Sequence, residues 1–370
     1  MHSPTSPSVF TGTRRRFLGQ LSVGAASLTL GSRAFAAPAL PKGRLGVALV
    51  GLGYYSKDLL APALQLTSHC QLTGLVSGSP AKLEAWQKQY HLPDGNLYSY
   101  ENFDRIANNP AIDVVYVVLP PSLHAEYTIR AAKAGKHVWC EKPMAPSVRE
   151  CEAMIKACRD NGVTLSIGYR MHHEPNTQAI IQFRREQKYG KVLSATAEAG
   201  YRESRTNHWK QKKAMGGGVM GDMGVYPLNA VRYATGLEPV AVTAKASTTR
   251  PEIYTEVEET MAFELDFPNG VTARCEASFG RGMNKLRVTA AQGWYELAPF
   301  QSYSGIKGVT SDGLALKATV PNQQAKQMDD DALAILNKTP LLVPGEEGLK
   351  DTRVVEAIYR AAASGKKEPV

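Results

Sequence analysis

The run Leu45-Gly46-Val47-Ala48-Leu49-Val50, followed at once by Gly51-Leu52-Gly53-Tyr54-Tyr55-Ser56, limits the fold of this chain more than any other feature. Six apolar positions without alternation read as a strand covered on both faces, which a sheet flanked by helices on each side provides. Two glycines two residues apart then make a tight turn, and a helix is expected from near Ser56. In such a unit Gly51 permits the turn and Gly53 lets the backbone approach a pyrophosphate seated on the helix N-terminus. Ser56 replaces the third glycine of the fingerprint and is small enough for close helix–strand packing. Tyr54 and Tyr55 lie in the same turn and are grouped with Gly51 and Gly53 as cofactor-binding residues.

The second strand, Gln71 to Val76, ends where a dinucleotide's ribose is read. An NAD site needs a carboxylate there, but the chain reads Val76-Ser77-Gly78-Ser79-Pro80-Ala81-Lys82. Ser77 cannot repel a 2′-phosphate and Lys82 can hold one, so NADP is the expected cofactor. A third buried strand, Asp113 to Leu119, runs into Pro120 and His124, both expected at the cofactor. A helix from His124 to Ala134 and a strand from His137 to Cys140 follow, ending at Glu141-Lys142-Pro143. Short apolar strands alternating with helices predict a doubly wound parallel sheet, with Glu141 and Lys142 at its ligand-binding edge.

The fingerprint, the loop Leu119–His124 and the Glu141-Lys142-Pro143 turn resemble the Gfo/Idh/MocA dehydrogenases. Ile167-Gly168-Tyr169-Arg170, Gly216-Gly217-Gly218, Asp222-Met223-Gly224-Val225-Tyr226 and Pro344-Gly345-Glu346-Glu347-Gly348 narrow the resemblance to its glucose–fructose and aldose oxidoreductase branch. The likeness spans about residues 44–367. It implies that the Lys142 ammonium lies beside the nicotinamide ribose and substrate hydroxyl, that Asp222 binds substrate, and that Tyr226 transfers the proton where the wider family uses histidine. One departure is the short stretch Ala37 to Gly43 before the first strand, where glucose–fructose oxidoreductase has a longer arm covering its cofactor.

Asp222 and Tyr226 stand four apart and share a helix face at about 6 Å. Pro227 suits only a helix start, so the helix is expected to begin between Asp222 and Val225, with Asp222 able to serve as its N-cap. A phenol with an ordinary pKa near 10 is a weak base at neutral pH, and an adjacent Lys142 ammonium would lower it. Tyr226 and Lys142 are therefore the expected catalytic pair, with Asp222, Tyr169, Arg170 and Asn229 orienting sugar hydroxyls.

The first 36 residues read as a twin-arginine export signal. Arg14-Arg15-Arg16 precedes a short apolar run, and Ala34-Phe35-Ala36 offers a cleavage site. A periplasmic enzyme exported folded is expected, with no stable membrane insertion once the signal is removed. Residues 37–165 are assigned to the NADP-binding domain and residues 166–370 to an α+β substrate domain with a large, mostly antiparallel, open-faced sheet. Alternation in Thr260–Phe267, the turn Pro268-Asn269-Gly270 and the run Val271–Ala277 mark a hairpin. The outer face of that sheet is expected to form a homodimer or homotetramer. Glu256, Glu258 and Glu259 read as a solvated strand end, so no metal site is expected, and Lys210, Lys212 and Lys213 read as loop surface.

Cys151 and Cys158 fall about 10 Å apart on one helix, too far to bridge, and all five cysteines read as free. The formal charge of +9 hints at an acidic partner. Four of the 43 basic residues (Arg14, Arg15, Arg16, Arg33) belong to the signal, which holds no acid, so its removal leaves +5. Small-molecule sugars, not nucleic acid, are the expected partners. Because little free NADP is expected outside the inner membrane, a cofactor carried through export must be regenerated in place. The expected chemistry is oxidation of an aldose at C1 to an aldonolactone, followed by reduction of a second sugar carbonyl to an alditol. A secreted NAD-dependent glycosidase and a non-catalytic sugar or redox sensor are the rival readings.

Overall fold

Strand β1 (Leu45–Val50) is buried along its whole length, as its unbroken apolar run requires. The computed structural model describes residues 43–370; the expected export signal lies outside them. Strands β2 (Cys70–Val76), β3 (Leu97–Tyr98), β4 (Val114–Val117), β5 (His137–Cys140) and β6 (Leu165–Ile167) complete a six-stranded sheet. Its order is β3-β2-β1-β4-β5-β6, and every pairing is parallel. Helices α1 (Ala61–Leu64), α2 (Pro80–Tyr90), α3 (His124–Lys133) and α4 (Val148–Asp160) alternate with these strands. The order reverses between β1 and β4, so the crevice beyond their carboxyl ends lies between the glycine turn and the loop after β4.

The second sheet contains β7 (Val192–Gly200), β8 (Ala241–Ser247), β9 (Thr260–Asp266), β10 (Thr272–Ser278), β11 (Met283–Ala290), β12 (Gly293–Leu297), β13 (Gly308–Thr310), β14 (Ala315–Leu316) and β15 (Glu368–Pro369). Their order is β14-β13-β12-β11-β7-β10-β9-β8-β15; β7 and β10 pair in parallel and the rest are antiparallel. The β9–β10 hairpin closes at Asn269 and Gly270, both at positive φ, as the sequence predicts. Ala195, Ala197 and Ala199 of β7 and Ala273 and Ala277 of β10 face inward. Their small side chains leave room for a helix to lie close on the sheet. Its outward face carries Thr196, Glu198, Lys245, Glu264, Arg274 and Lys285.

Helices α5 (Pro175–Arg185), α6 (Val225–Thr235), α7 (Gln323–Asn337) and α8 (Gly345–Ser364) complete the fold. Helix α6 is buried at all eleven positions and stops at Gly236 in the left-handed region. Arg232 and Asn229 find their partners inside the protein. Arg232 pairs with Asp351, with Glu347 at 2.8 Å and with Glu238 at 2.7 Å. A carboxylate left buried without its partner is costly, so this cluster ties α6 firmly to α8.

Two features cross the assigned division of the chain. The boundary between residues 165 and 166 falls inside β6, and Ile167 N–H donates onward to the Val343 carbonyl. Helix α7, although far along the chain, packs on the first sheet: Ala325, Met328 and Ala332 join the core of Leu45, Val47 and Leu49. Of the three glutamates, Glu256 is exposed as expected, but Glu258 and Glu259 are not a solvated strand end. Glu259 is buried in an ion pair with Arg250 at 2.7 Å, and Glu258 accepts from Met220 N–H and the Tyr359 hydroxyl. Among the described residues no group of three or more His, Cys, Asp and Glu could hold a metal ion. All five cysteines are buried free thiols. No helix of the described residues is long and apolar enough to cross a membrane.

Candidate active site

The glycine turn is built for close approach of a ligand. Gly51 has φ +93, and a Cβ there would lie 2.4 Å from the Val118 carbonyl oxygen. At Gly53 a Cβ would meet nothing within 4 Å. Ser56 is fully buried and its hydroxyl donates to the Gly51 carbonyl at 2.6 Å, locking the turn onto the helix behind it. That helix begins with a π-helical turn, Ser56–Leu60, before α1. The Lys82 ammonium reaches back to the Leu52 carbonyl at 3.0 Å, which sets a cation at the mouth of the turn. Ser77 is buried, and its hydroxyl accepts from Ser79 N–H while Ser79 caps α2. Open space at Gly53, a cation at Lys82 and no acid at Ser77 fit a dinucleotide carrying a 2′-phosphate.

Lys142 follows β5, and the Lys142–Pro143 peptide is cis. Its ammonium donates to the Asp222 carbonyl at 2.9 Å and to the carboxylate at 3.4 Å, and sits 4.4 Å from the centre of the Tyr226 ring. The expected pair does meet, but Lys142 covers the ring face. The Tyr226 hydroxyl instead accepts from Arg170 at 2.9 Å. Burial alone would push the Tyr226 pKa up; Lys142 and Arg170 outweigh it and hold it below the ordinary phenol value. Burial likewise opposes the Lys142 charge, but Tyr226, Asp222 and Glu141 overcome it and its pKa is raised. Glu141 is raised chiefly by burial, although the Tyr116 hydroxyl donates to it at 2.7 Å.

Asp222 is no helix cap. It lies within a π-helical turn, Met220–Gly224, that runs directly into α6, and its carboxylate is spent on ammonium groups. Burial disfavours its charge, yet Lys142 and Lys210 drive its pKa far below the carboxylate range. Arg170 is buried, donates through Nε to Gln323 at 3.2 Å, and lies 4.8 Å from the Tyr303 ring centre. Its Nη2 has no partner among the described residues. Tyr55 packs on Tyr303 with ring centres 6.1 Å apart, and its pKa is raised by burial and then by Glu141.

Other expected residues lie elsewhere. Tyr169 turns away from Lys142: its ring lines a separate cavity of about 930 Å3 with Pro143, Met220, Asp351 and Tyr359, and its hydroxyl sits beside Asp351. Asn229 points into the α6–α8 cluster, donating to Asp351 at 3.0 Å and bonding His172 at 2.8 Å. Both side chains are directed to Asp351. His124 is buried with both ring nitrogens against backbone carbonyls, Pro143 at 2.9 Å and Leu119 at 2.8 Å, so it braces two loops. Pro120 lies half-buried in the loop after β4, and Tyr54 is exposed.

Sequence reading also missed two residues. Lys210, read as loop surface, is 12% exposed and bonds Asp222 and, at 2.6 Å, the Tyr201 hydroxyl. Tyr303 arrives from an irregular loop after β12, where no periodicity marks it.

Comparison with known proteins agrees with this geometry. Residues 45–169 match the family model described as an oxidoreductase family with an NAD-binding Rossmann fold, and residues 177–296 match the C-terminal domain of the GFO/IDH/MocA proteins. The chain is 42% identical to an aldose-aldose oxidoreductase from Caulobacter crescentus, whose crystal structure in complex with glycerol superposes with a TM-score of 0.85 over 88% of this chain and 100% of that one. It is 28% identical over 325 residues to the NADP(+) D-xylose 1-dehydrogenase of Haloarcula marismortui, covering 85% of this chain and 90% of the relative. A levoglucosan dehydrogenase in complex with NADH and levoglucosan shares the fold, with a TM-score of 0.78 at 20% identity. By both of its domains the chain is a member of the Gfo/Idh/MocA family of oxidoreductases.

Proposed function

We propose that this protein is an NADP-dependent sugar oxidoreductase that oxidises an aldose at C1 to an aldonolactone and reduces a second sugar carbonyl without exchanging its cofactor. The observation that carries the reading is the Tyr226 hydroxyl held by Arg170 under a Lys142 ammonium, beside the ionised Asp222. Similarity to the Caulobacter aldose-aldose oxidoreductase supports the substrate class. Similarity to the NADP(+) xylose dehydrogenase, with Lys82 and the absent acid at Ser77, supports the cofactor.

The Gly51–Gly53 turn would hold the pyrophosphate, Ser77 and Lys82 the 2′-phosphate, and Lys142 the nicotinamide ribose. When bound, the nicotinamide supplies a site that accepts and returns a hydride. Tyr226 as phenolate removes the proton of the C1 hydroxyl as the C1–H bond breaks. Lys142 and Arg170 stabilise the phenolate before transfer. In the returning half-reaction the Tyr226 hydroxyl gives its proton to the new alkoxide. This sequence implies ping-pong kinetics.

The arginine-rich leader supports export as a folded protein into the periplasm, and the open face of the second sheet supports a homodimer or homotetramer. Purified protein given single sugars and sugar pairs tests the reading by product analysis. Lactone and alditol forming in equal amounts without added NADP support it. A need for fresh NADP at every turnover refutes the coupled cycle.

A further inference from the structure

We propose that Lys210 is a positioning residue for proton transfer: by pairing with one oxygen of Asp222 it keeps that carboxylate from drawing the Lys142 ammonium off the Tyr226 ring. The proposal rests on the reading of Tyr226 as the proton-transfer group.

Asp222 has two oxygens and meets two ammonium groups. Lys142 takes Oδ1 at 3.4 Å and Lys210 takes Oδ2. The Lys142 ammonium is shared between this carboxylate, the Asp222 carbonyl at 2.9 Å and the Tyr226 ring at 4.4 Å. Without Lys210, a full negative charge in a buried site would have Lys142 as its sole cationic partner. Attraction between them would tighten, and the Lys142 charge that Tyr226 feels would be largely cancelled.

Lys210 is itself held for this purpose. It comes from the short turn Trp209–Gln211, with its ammonium against the Tyr201 hydroxyl at 2.6 Å and 4.0 Å from Glu203. The Tyr201 ring centre lies 5.1 Å away and that of Phe279 lies 5.6 Å away, so the cation rests on an aromatic bed. Arg205 occupies Glu203 through its own side chain, which leaves Lys210 directed at Asp222.

The groups facing Tyr226 come from every side of the site. Lys142 and Glu141 follow β5, Arg170 follows β6, Asp222 lies one turn earlier on its own helix, Tyr303 comes from the loop after β12 and Tyr55 from the helix after the glycine turn. Among them Lys142 and Arg170 favour phenolate, whereas Asp222 and Glu141 oppose it. Around Lys210 stand Asp222, Tyr201, Glu203, Arg205 and His208. Lys210 therefore acts on Tyr226 by neutralising one of its two acidic opponents.

Phenolate absorbance of the full chain, read against pH as the difference between each protein and its Y226F counterpart, reports Tyr226 alone. Substitution K210M should raise the Tyr226 midpoint by about one pH unit, the lower end of what one nearby charge exerts. Substitution K210R should leave it in place. In a D222N background K210M should move nothing, because no carboxylate remains to compete for Lys142. If K210M does not fold, K210Q is read in the same way. An unmoved midpoint in the neutral variants, an equal shift in K210R, or a shift that persists in D222N each overturns the proposal. The readout needs no substrate, so it is separate from the sugar reading, which fails if Y226F turns over sugars at the parent rate.

Discussion

Gly51 and Gly53 lie two residues apart in one turn, and replacing each by alanine should give opposite phenotypes. At Gly51 the backbone has φ +93, and the new Cβ would stand 2.4 Å from the Val118 carbonyl oxygen and 2.7 Å from Leu119 Cδ2. The strained backbone costs about 1–3 kcal/mol. Relief of the contact must move the exit of β4 by about 1 Å, an overpacking cost of roughly 1–3 kcal/mol. Together about 2–6 kcal/mol should be lost, a fall in Tm of roughly 3–8 °C for a chain of this size. At Gly53 the methyl enters open space, so Tm should stay within about 1 °C of the parent. That space is where the pyrophosphate would approach. Keeping the phosphate off the helix N-terminus sacrifices a charge-assisted hydrogen bond of about 2 kcal/mol, or roughly thirtyfold in NADP affinity. Scanning calorimetry of the cofactor-free protein and fluorescence titration with NADP measure the two effects separately. Equal thermal losses in both variants, or an unchanged NADP Kd in Gly53→Ala, would refute the division of labour.

Removing the Tyr226 hydroxyl as Tyr226→Phe should reduce turnover by about 10²–10⁴-fold with NADP affinity unchanged, measured by single-turnover reduction of bound cofactor. Arg170→Met deletes a donor and a charge that both favour phenolate. The Tyr226 pKa should therefore rise, and the ascending limb of the pH–rate profile for aldose oxidation should move to higher pH. Lys82→Ala should weaken NADP binding by about tenfold and leave NAD binding unaltered, as read by parallel titrations. Arg232→Met strands Asp351 and Glu347 in the interior and should destabilise the protein by about 3 kcal/mol in urea unfolding, although it touches no substrate.

The nucleotide half was legible because its signals are local. An unbroken apolar run, two glycines and a missing acid at Ser77 each depend on neighbours in sequence, and β1, β2 and β5 stand within a residue of where they were expected. The pairing of Lys142 with Tyr226 was expected through the family resemblance, whereas the four-residue spacing spoke only for Asp222 and Tyr226. What failed were directions. Helix α6 is buried all round, so apolar periodicity assigns it no single inner face. Asn229, three residues past Tyr226, is rotated by about 60° from it, enough to reach Asp351 instead of the site. Tyr169 and Arg170 are adjacent at a strand end and therefore diverge, one to the separate cavity and one to Tyr226. Lys210 and Tyr303 come from segments without regular repeat, where nothing along the chain says how far a long side chain reaches. The Gly345 and Gly348 positions carry a further lesson. A Cβ at either would press within 3 Å of Leu165 or Met144, so these glycines seat α8 against β6 and the loop after β5.

The return of α7 to the first sheet has a consequence for synthesis. Ala325, Met328 and Ala332 seal the face of β1 that carries Leu45, Val47 and Leu49. Asp329 receives the backbone N–H groups of Ser68 and His69, and Asp331 receives the Ser166 hydroxyl. A ribosome releases β1 long before α7, so the nucleotide-binding half stays unsealed until the whole second sheet has emerged. An early strand is thus finished late, and a fragment ending at residue 296 would expose that apolar face to water.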